Sequence, residues 1–295
     1  MIKVSVIIVN YNTGDLVMQC IESVLKQREV TFEIIVVDNA SHDSSVTLLK
    51  EKERLGQIKL QLNENNVGFG RANNQAAQIA QGEYLFLLNP DAVCQGNVVL
   101  RDMLRFIEMH PSMGLAGTQV IRTRKGGYSI PQTTYPGQRH TTLTFNELPG
   151  KIAWVIGASM FVRADVFSKV KGFDEAYFLY GEEADLCLRI RKNGYEIGYN
   201  PVVAVAHIGG ASESVSSVKE VWKRKQNGLQ LFIKKHYPLI EAKKVMQVYK
   251  SRASRRLVVL KIKQWLGLFG EKHQAKKDRY QVVVEQANKF LCEME

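Results

Sequence analysis

Cysteine is scarce in this 295-residue chain: Cys20, Cys94, Cys187 and Cys292 are far apart and form no CxxC pair. That argues against a disulfide framework or a zinc finger and predicts a reducing, cytoplasmic setting. No run of about 18 apolar residues occurs, which argues against a membrane span. The amino-terminal run MIKVSVIIV is interrupted at Asn10, so it does not read as a signal peptide. Glycine is missing where a dinucleotide cradle would need it. The first apolar run exits through Asn10-Tyr11-Asn12-Thr13-Gly14-Asp15, and the later Gly68-Phe69-Gly70 has Asn73 in place of the third glycine. Acidic charge is short in one region only. Residues 1–218 hold 21 Lys and Arg against 22 Asp and Glu, whereas residues 219–295 hold 19 against 7, so the net +11 belongs to the last quarter. A uniformly basic chain points to nucleic acid; a neutral body with a basic tail does not.

What is present is ordinary for a globular protein, with 45% hydrophobic and 23% charged residues. The length fits one large α/β domain with an appendage, divided as 1–215 and 216–295. Residues 3–9, 33–37, 58–62 and 83–88 read as short strands, and 15–27, 43–55, 71–81 and 97–109 as helices between and after them. On the first helix Leu16, Cys20, Val24 and Ile21 are expected on the core face. Such alternation implies parallel βαβ units with ligands at the carboxyl ends of the strands. Asn10–Asn12, Asp38, Asn89 and Asp91 lie at those ends. Residues 122–150 read as one long loop, expected to face an acceptor. Order returns with residues 154–162, a helix at 164–169, a helix at 182–192 stopped by Asn193-Gly194, and a strand at 202–206 ending in His207. From about 217 the chain reads as helical.

Three motifs suggest chemistry, each with a plain structural reading beside it. Asn89-Pro90-Asp91 is either a capped turn or a carboxylate for a hard cation such as Mg2+ or Mn2+. Gly181-Glu182-Glu183-Ala184-Asp185 places acids at a helix start, where they suit the dipole; one of them could serve as a general base, and Asp185 could pair with Arg189. His207, with Gly209 and Gly210 behind it, is either structural or part of a metal shell.

The ordered set VIIVNYN (6–12), VVDNAS (36–41), NVGFGRANN (66–74), LLNPDA (87–92), GFDE (172–175), GEEADLCLR (181–189) and HIGGAS (207–212) resembles glycosyltransferase family 2, most closely its rhamnosyltransferase-like branch. The resemblance implies a GT-A fold (Rossmann-like, with a mostly parallel central sheet), followed here by a basic helical carboxyl-terminal extension. It implies inverting transfer of a sugar from a nucleotide-diphosphate donor. Tyr11 would then border the base and Asp38 hydrogen-bond base or ribose, while Asn66, Gly68 and Asn74 match the donor-side loop and helix. Asp91 matches the last aspartate of the DXD motif and His207 the histidine that completes the metal shell around Mg2+ or Mn2+. Glu183 aligns with the general base. Asn89 stands on the donor side in place of the first DXD aspartate, leaving one carboxylate for the cation, and Glu182 stays a competing base. A deoxythymidine-diphosphate-rhamnose donor and a glycan or polyprenyl-diphosphate-linked acceptor in cell-surface polysaccharide synthesis follow from the same resemblance. An inactive nucleotide-sugar or carbohydrate-binding scaffold is the competing reading. A nucleotidyltransferase would need a Gly-rich, basic amino-terminal loop that is missing.

Residues 252–269 (RASRRLVVLKIKQWLGLF) mix cations with large apolar side chains. That suits a helix lying on an anionic membrane surface, or one packed on a partner subunit in a homo-oligomer. The membrane is the favoured reading, placing the protein in the cytoplasm at the inner face of the plasma membrane. No nucleic-acid partner is expected.

Overall fold

A computed structural model describes residues 2–124, 126–210 and 216–294. The expected boundary at 215/216, and Ala211 and Ser212 of the 207–212 motif, lie outside the described residues. The chain divides into two compact units: Met1–Thr134 with Asn146–Phe178 and Glu182–Ser214, and Tyr135–Phe145 with Leu179–Gly181 and Val215–Glu295.

The first unit begins β1 (Val4–Asn10), α1 (Asp15–Leu25), β2 (Phe32–Asp38), α2 (Ser45–Arg54), β3 (Lys59–Leu62), α3 (Phe69–Ile79) and β4 (Tyr84–Leu88). It continues β5 (Ala92–Cys94), α4 (Val99–Glu108), β6 (Met113–Arg122), β7 (Tyr128–Ser129), β8 (Ser159–Arg163), α5 (Ala164–Lys169), α6 (Glu182–Lys192) and β9 (Glu196–His207). The strands form one sheet in the order β3-β2-β1-β4-β8-β6-β9-β5, with β7 on β6. Neighbours β3, β2, β1 and β4 pair in parallel, as do β6 and β9, while β8 runs antiparallel between β4 and β6. β1 is buried along its whole length because both faces are covered, which is why it reads as an unbroken apolar run. Its Val4, Val6 and Ile8 pack with Val17, Cys20 and Ile21 of α1 and with α4, while Ile7 and Val9 face Ala72 and Ala76 of α3. Val17, not Leu16, fills the core position on α1; Leu16 is only half-buried.

Several expectations change here. Residues 113–122, not anticipated as a strand, form β6, and β9 begins at Glu196 instead of 202. Within the ordered stretch 154–162 the strand β8 begins at Ser159, and Trp154 is joined to Gln132 by an isolated bridge. The 122–150 region is not one loop: β7 and a short helical turn at Gln138–His140 occupy part of it.

The second unit is built from α7 (Val218–His236), α8 (Leu239–Trp265) and α9 (Glu271–Glu293). α7 starts in a capping box, the Ser217 side chain accepting from Glu220 N while Glu220 Oε2 accepts from Ser217 N. Tyr135 stacks on Phe232, and the Tyr237 hydroxyl donates to Pro136 O at 2.7 Å. These contacts tie segment 135–145 to the helices.

Candidate active site

The carboxyl ends of β1, β2, β4 and β9 carry the polar residues singled out above. Antiparallel pairing of β5 with β9 sets Ala92 opposite His207. Asn89-Pro90-Asp91-Ala92 is a tight turn closed by Ala92 N donating to Asn89 O at 3.1 Å, with Pro90 supplying the fixed φ of its second position. That turn and that register bring Asp91 to His207, whose Nε2 lies 3.1 Å from Asp91 Oδ1 and 3.3 Å from Asn89 Nδ2. Gly209 N donates to Asp91 Oδ2 at 2.9 Å. Burial of Asp91 works against its ionised form, but the hydrogen bond and charge of His207 and the Gly209 N–H outweigh it and hold the carboxyl below its usual range.

Asn89 Oδ1 is buried and has no hydrogen-bond partner among the described residues. A buried amide oxygen left unpaired costs about 1–3 kcal/mol, so it marks a place for a ligand. Adjacent ligands of an octahedral Mg2+ or Mn2+ with bonds of about 2.1 Å stand about 3 Å apart, matching the Asp91–His207 contact. No group of three or more His, Cys, Asp or Glu suited to a metal occurs among the described residues. The residues here that could hold a cation are one carboxylate, one imidazole and one amide, a set that would need diphosphate oxygens and water to complete the shell.

Gly157-Ala158 links this turn to α6. Asn89 N donates to Ala158 O at 3.1 Å, and a Cβ on Gly157 would stand 3.6 Å from Glu183 Cβ. The two adjacent glutamates differ sharply. Glu182 is 5% exposed, its Oε2 has no partner among the described residues, and burial reinforced by Glu183 and Asp185 drives its pKa far above the usual carboxylate range. Glu183 is half-buried. Asp185 forms the anticipated pair with Arg189, Oδ2 to Nε 2.7 Å, and Arg189 also donates to Val170 O and Gly172 O, fastening α6 to the end of α5.

The remaining expected residues build the rim. Asp38 does not face outward: it is almost wholly buried, and its oxygens accept from Asn10 Nδ2 (2.6 Å), Ser41 N (2.9 Å) and Ser41 Oγ (2.8 Å). Asn74 clamps backbone in both directions, donating to Phe173 O and accepting from Phe173 N. Both side chains hold loops at the strand ends through these bonds. Asn66 Oδ1 accepts from Asn39 Nδ2 and Gly68 N. Gly68 has φ +91°, and a Cβ there would meet Phe178 O at 2.7 Å, while Phe178 O accepts from Phe69 N. Tyr11 is half-buried on the turn after β1, beside Asn12, which holds φ +50° and accepts from His42 N.

Sequence reasoning left Asn39 and Asn10 off the list of site residues. Asn39 is the hub of the donor-side loop, donating to Asn66 Oδ1 and Gly68 O and accepting from Asn63 Nδ2 and Val67 N. Asn10 joins Asp38, Ser41 and Ser45. A clue lay in their place at strand ends, since a buried amide there must be fully hydrogen-bonded.

A Rossmann-like, mostly parallel sheet with polar residues gathered at the carboxyl ends of its strands is the architecture of the GT-A class. The profile of the family described as "Glycosyl transferase family 2" matches residues 5–171. The chain belongs to glycosyltransferase family 2. It is 27% identical over 227 residues to rhamnosyltransferase WbbL of Escherichia coli, covering 69% of this chain and 83% of that one. It is 26% identical over 235 residues to the N-acetylglucosaminyl-diphospho-decaprenol L-rhamnosyltransferase of Mycobacterium tuberculosis, covering 68% and 75%. Resemblance to the rhamnosyltransferase-like branch thus holds. The fold matches the mannosyltransferase PcManGT of Pyrobaculum calidifontis, solved with GDP-Man and Mn2+, at a TM-score of 0.61 and 17% identity over 99% of this chain and 88% of that one.

Proposed function

We propose that the chain is an inverting glycosyltransferase that moves a sugar, L-rhamnose by kinship, from a nucleoside-diphosphate donor to a glycan on a polyprenyl-diphosphate carrier. The observation that carries this reading is the meeting of Asp91, His207 and the unpartnered Asn89 oxygen, with Glu183 set beside the Gly157-Ala158 segment that touches the same turn. The two rhamnosyltransferase relatives supply the sugar, and the name of the mycobacterial one supplies the lipid-diphosphate acceptor.

Asp91, His207 and the Asn89 amide oxygen would hold Mg2+ or Mn2+. When bound, the cation neutralises charge developing on the leaving diphosphate. Tyr11 and Asn66 line the donor side, Gly68 lets the 174–178 loop close on α3, and Asp38 and Asn74 hold those loops in register. Glu183 accepts the proton of the acceptor hydroxyl at a carboxylate oxygen as that hydroxyl attacks the anomeric carbon. The bond to the diphosphate oxygen breaks on the opposite face, so one displacement inverts the centre. A diphosphate leaves without being protonated, so a single base suffices, unlike the carboxyl pair of a glycosidase. Glu182, kept neutral by burial, leaves that role to Glu183. Adenine, guanine, uracil and thymine nucleotide-sugars, incubated with Mn2+ and an acceptor lipid, test the reading. One of them is expected to release its nucleoside diphosphate, and release from none would leave the inactive scaffold as the better description.

A further inference from the structure

In α8 the residues from Arg252 to Trp265 carry two apolar faces. Ala253 and Leu260 are buried, with Leu257 half-buried beside them, on the face turned into the three-helix unit. At 100° per residue, Val258, Val259, Ile262, Trp265 and Leu266 fall within a second arc of roughly 120°. All five are exposed, Ile262 at 51% and Trp265 at 85%. Lys261 borders one edge of the arc, and Arg252, Arg256 and Lys263 border the other; Arg255 stands one turn before it. The turn beyond adds exposed Leu268, and Lys272 and Lys276 follow on α9. From 252 to 277 there are eight Lys and Arg against one acid, Glu271.

Single exposed apolar side chains are common, but a contiguous arc of them marks a docking surface. Its occupant must accept an apolar wedge and neutralise a dense collar of cations. A second copy of this chain would bring like charge against like charge. A nucleic acid would engage the cations and leave Ile262 and Trp265 in water. An acyl-chain layer beneath anionic headgroups satisfies both demands: the apolar arc enters the headgroup–acyl boundary, the long basic side chains reach the phosphates, and Trp sits at the interface. We infer that the tip formed by the end of α8 and the following turn is a docking face for an anionic lipid bilayer. The face deepens the lipid-linked acceptor reading by naming where the protein meets the carrier's membrane, while its geometry is independent of the transfer chemistry.

The test uses the full chain in sedimentation with vesicles of phosphatidylglycerol and phosphatidylcholine, or of phosphatidylcholine alone. Binding is expected only to the anionic vesicles and is expected to fall as salt rises. I262S/W265S changes only exposed side chains, so its melting and circular dichroism should match the wild type. Its partitioning should drop by roughly 100-fold from the lost apolar burial. R255Q/R256Q should cost about 25-fold and flatten the salt dependence. Nucleoside-diphosphate release measured without vesicles should be unchanged in both variants, which separates failure of this inference from failure of the transferase reading. Absence of binding to anionic vesicles at low salt, or equal binding by I262S/W265S, would overturn the assignment. So would a wild-type dimer that becomes monomeric in I262S/W265S, since the face would then belong to a second copy.

Discussion

Glu182→Gln offers a quantitative test of how the two glutamates divide their labour. In the folded protein burial, with Glu183 and Asp185 adding to it, raises the Glu182 pKa well above its ordinary 4.5. Between 4.5 and that raised value the native state holds a proton that the unfolded state has released. Stability therefore falls as pH rises through this window, by about 1.4 kcal/mol per pH unit, and levels off above the folded pKa. Glutamine cannot ionise, so E182Q lacks this slope. Its own buried amide adds an offset that does not vary with pH, which makes the slope the readout. Urea unfolding of both proteins at pH 5, 6 and 7 should give wild-type stability declining relative to E182Q as pH rises, by no more than about 1.4 kcal/mol per pH unit. Parallel curves would show that Glu182 ionises normally in the fold and would refute the assignment of a neutral Glu182.

Two further expectations concern the frame around the reacting atoms. Gly68→Ala combines a strained φ with a Cβ at 2.7 Å from Phe178 O, so thermal unfolding should register a loss of more than about 1 kcal/mol; an unchanged melting temperature would mean that the 174–178 loop is not seated on α3. The wild type should show a Mn2+-induced rise in melting temperature with nucleoside diphosphate, worth about 2.7 kcal/mol at 100 times Kd, and Asp91→Asn should abolish it. An equal rise in both proteins would place the cation elsewhere.

Much of the sheet was legible because β1, β2 and β4 are covered on both faces and so read as apolar runs. β6 was not, because its apolar pattern is broken by glycines chosen for packing: a Cβ on Gly117 would come within 2.9 Å of Val155 Cβ. The start of β9 was hidden by Asn200-Pro201, where the register with β6 slips between Thr118 and Gln119 and the ladder makes room for a residue without an N–H. For the candidate site, strand-end position singled out Asp91 and His207, and cross-strand register then brings them into contact. The hydrogen bonds that Asp38 and Asn74 make within the fold were not legible, because sequence position does not say which way a side chain turns. Both face inward to loops whose backbone N–H and C=O groups need partners. Adjacent Glu182 and Glu183 could not be told apart by spacing; burial distinguishes them.

The central claim is that Glu183, beside the Gly157-Ala158 segment that touches the Asn89 turn, deprotonates the acceptor. Turnover and donor affinity measured side by side for E183Q and E182Q test it most directly. E183Q should lose about 10²–10⁴-fold in turnover with donor Kd unchanged, as expected for removal of a general base, while E182Q should stay within a few-fold of wild type near neutral pH. An active E183Q alongside an inactive, folded E182Q would contradict the account.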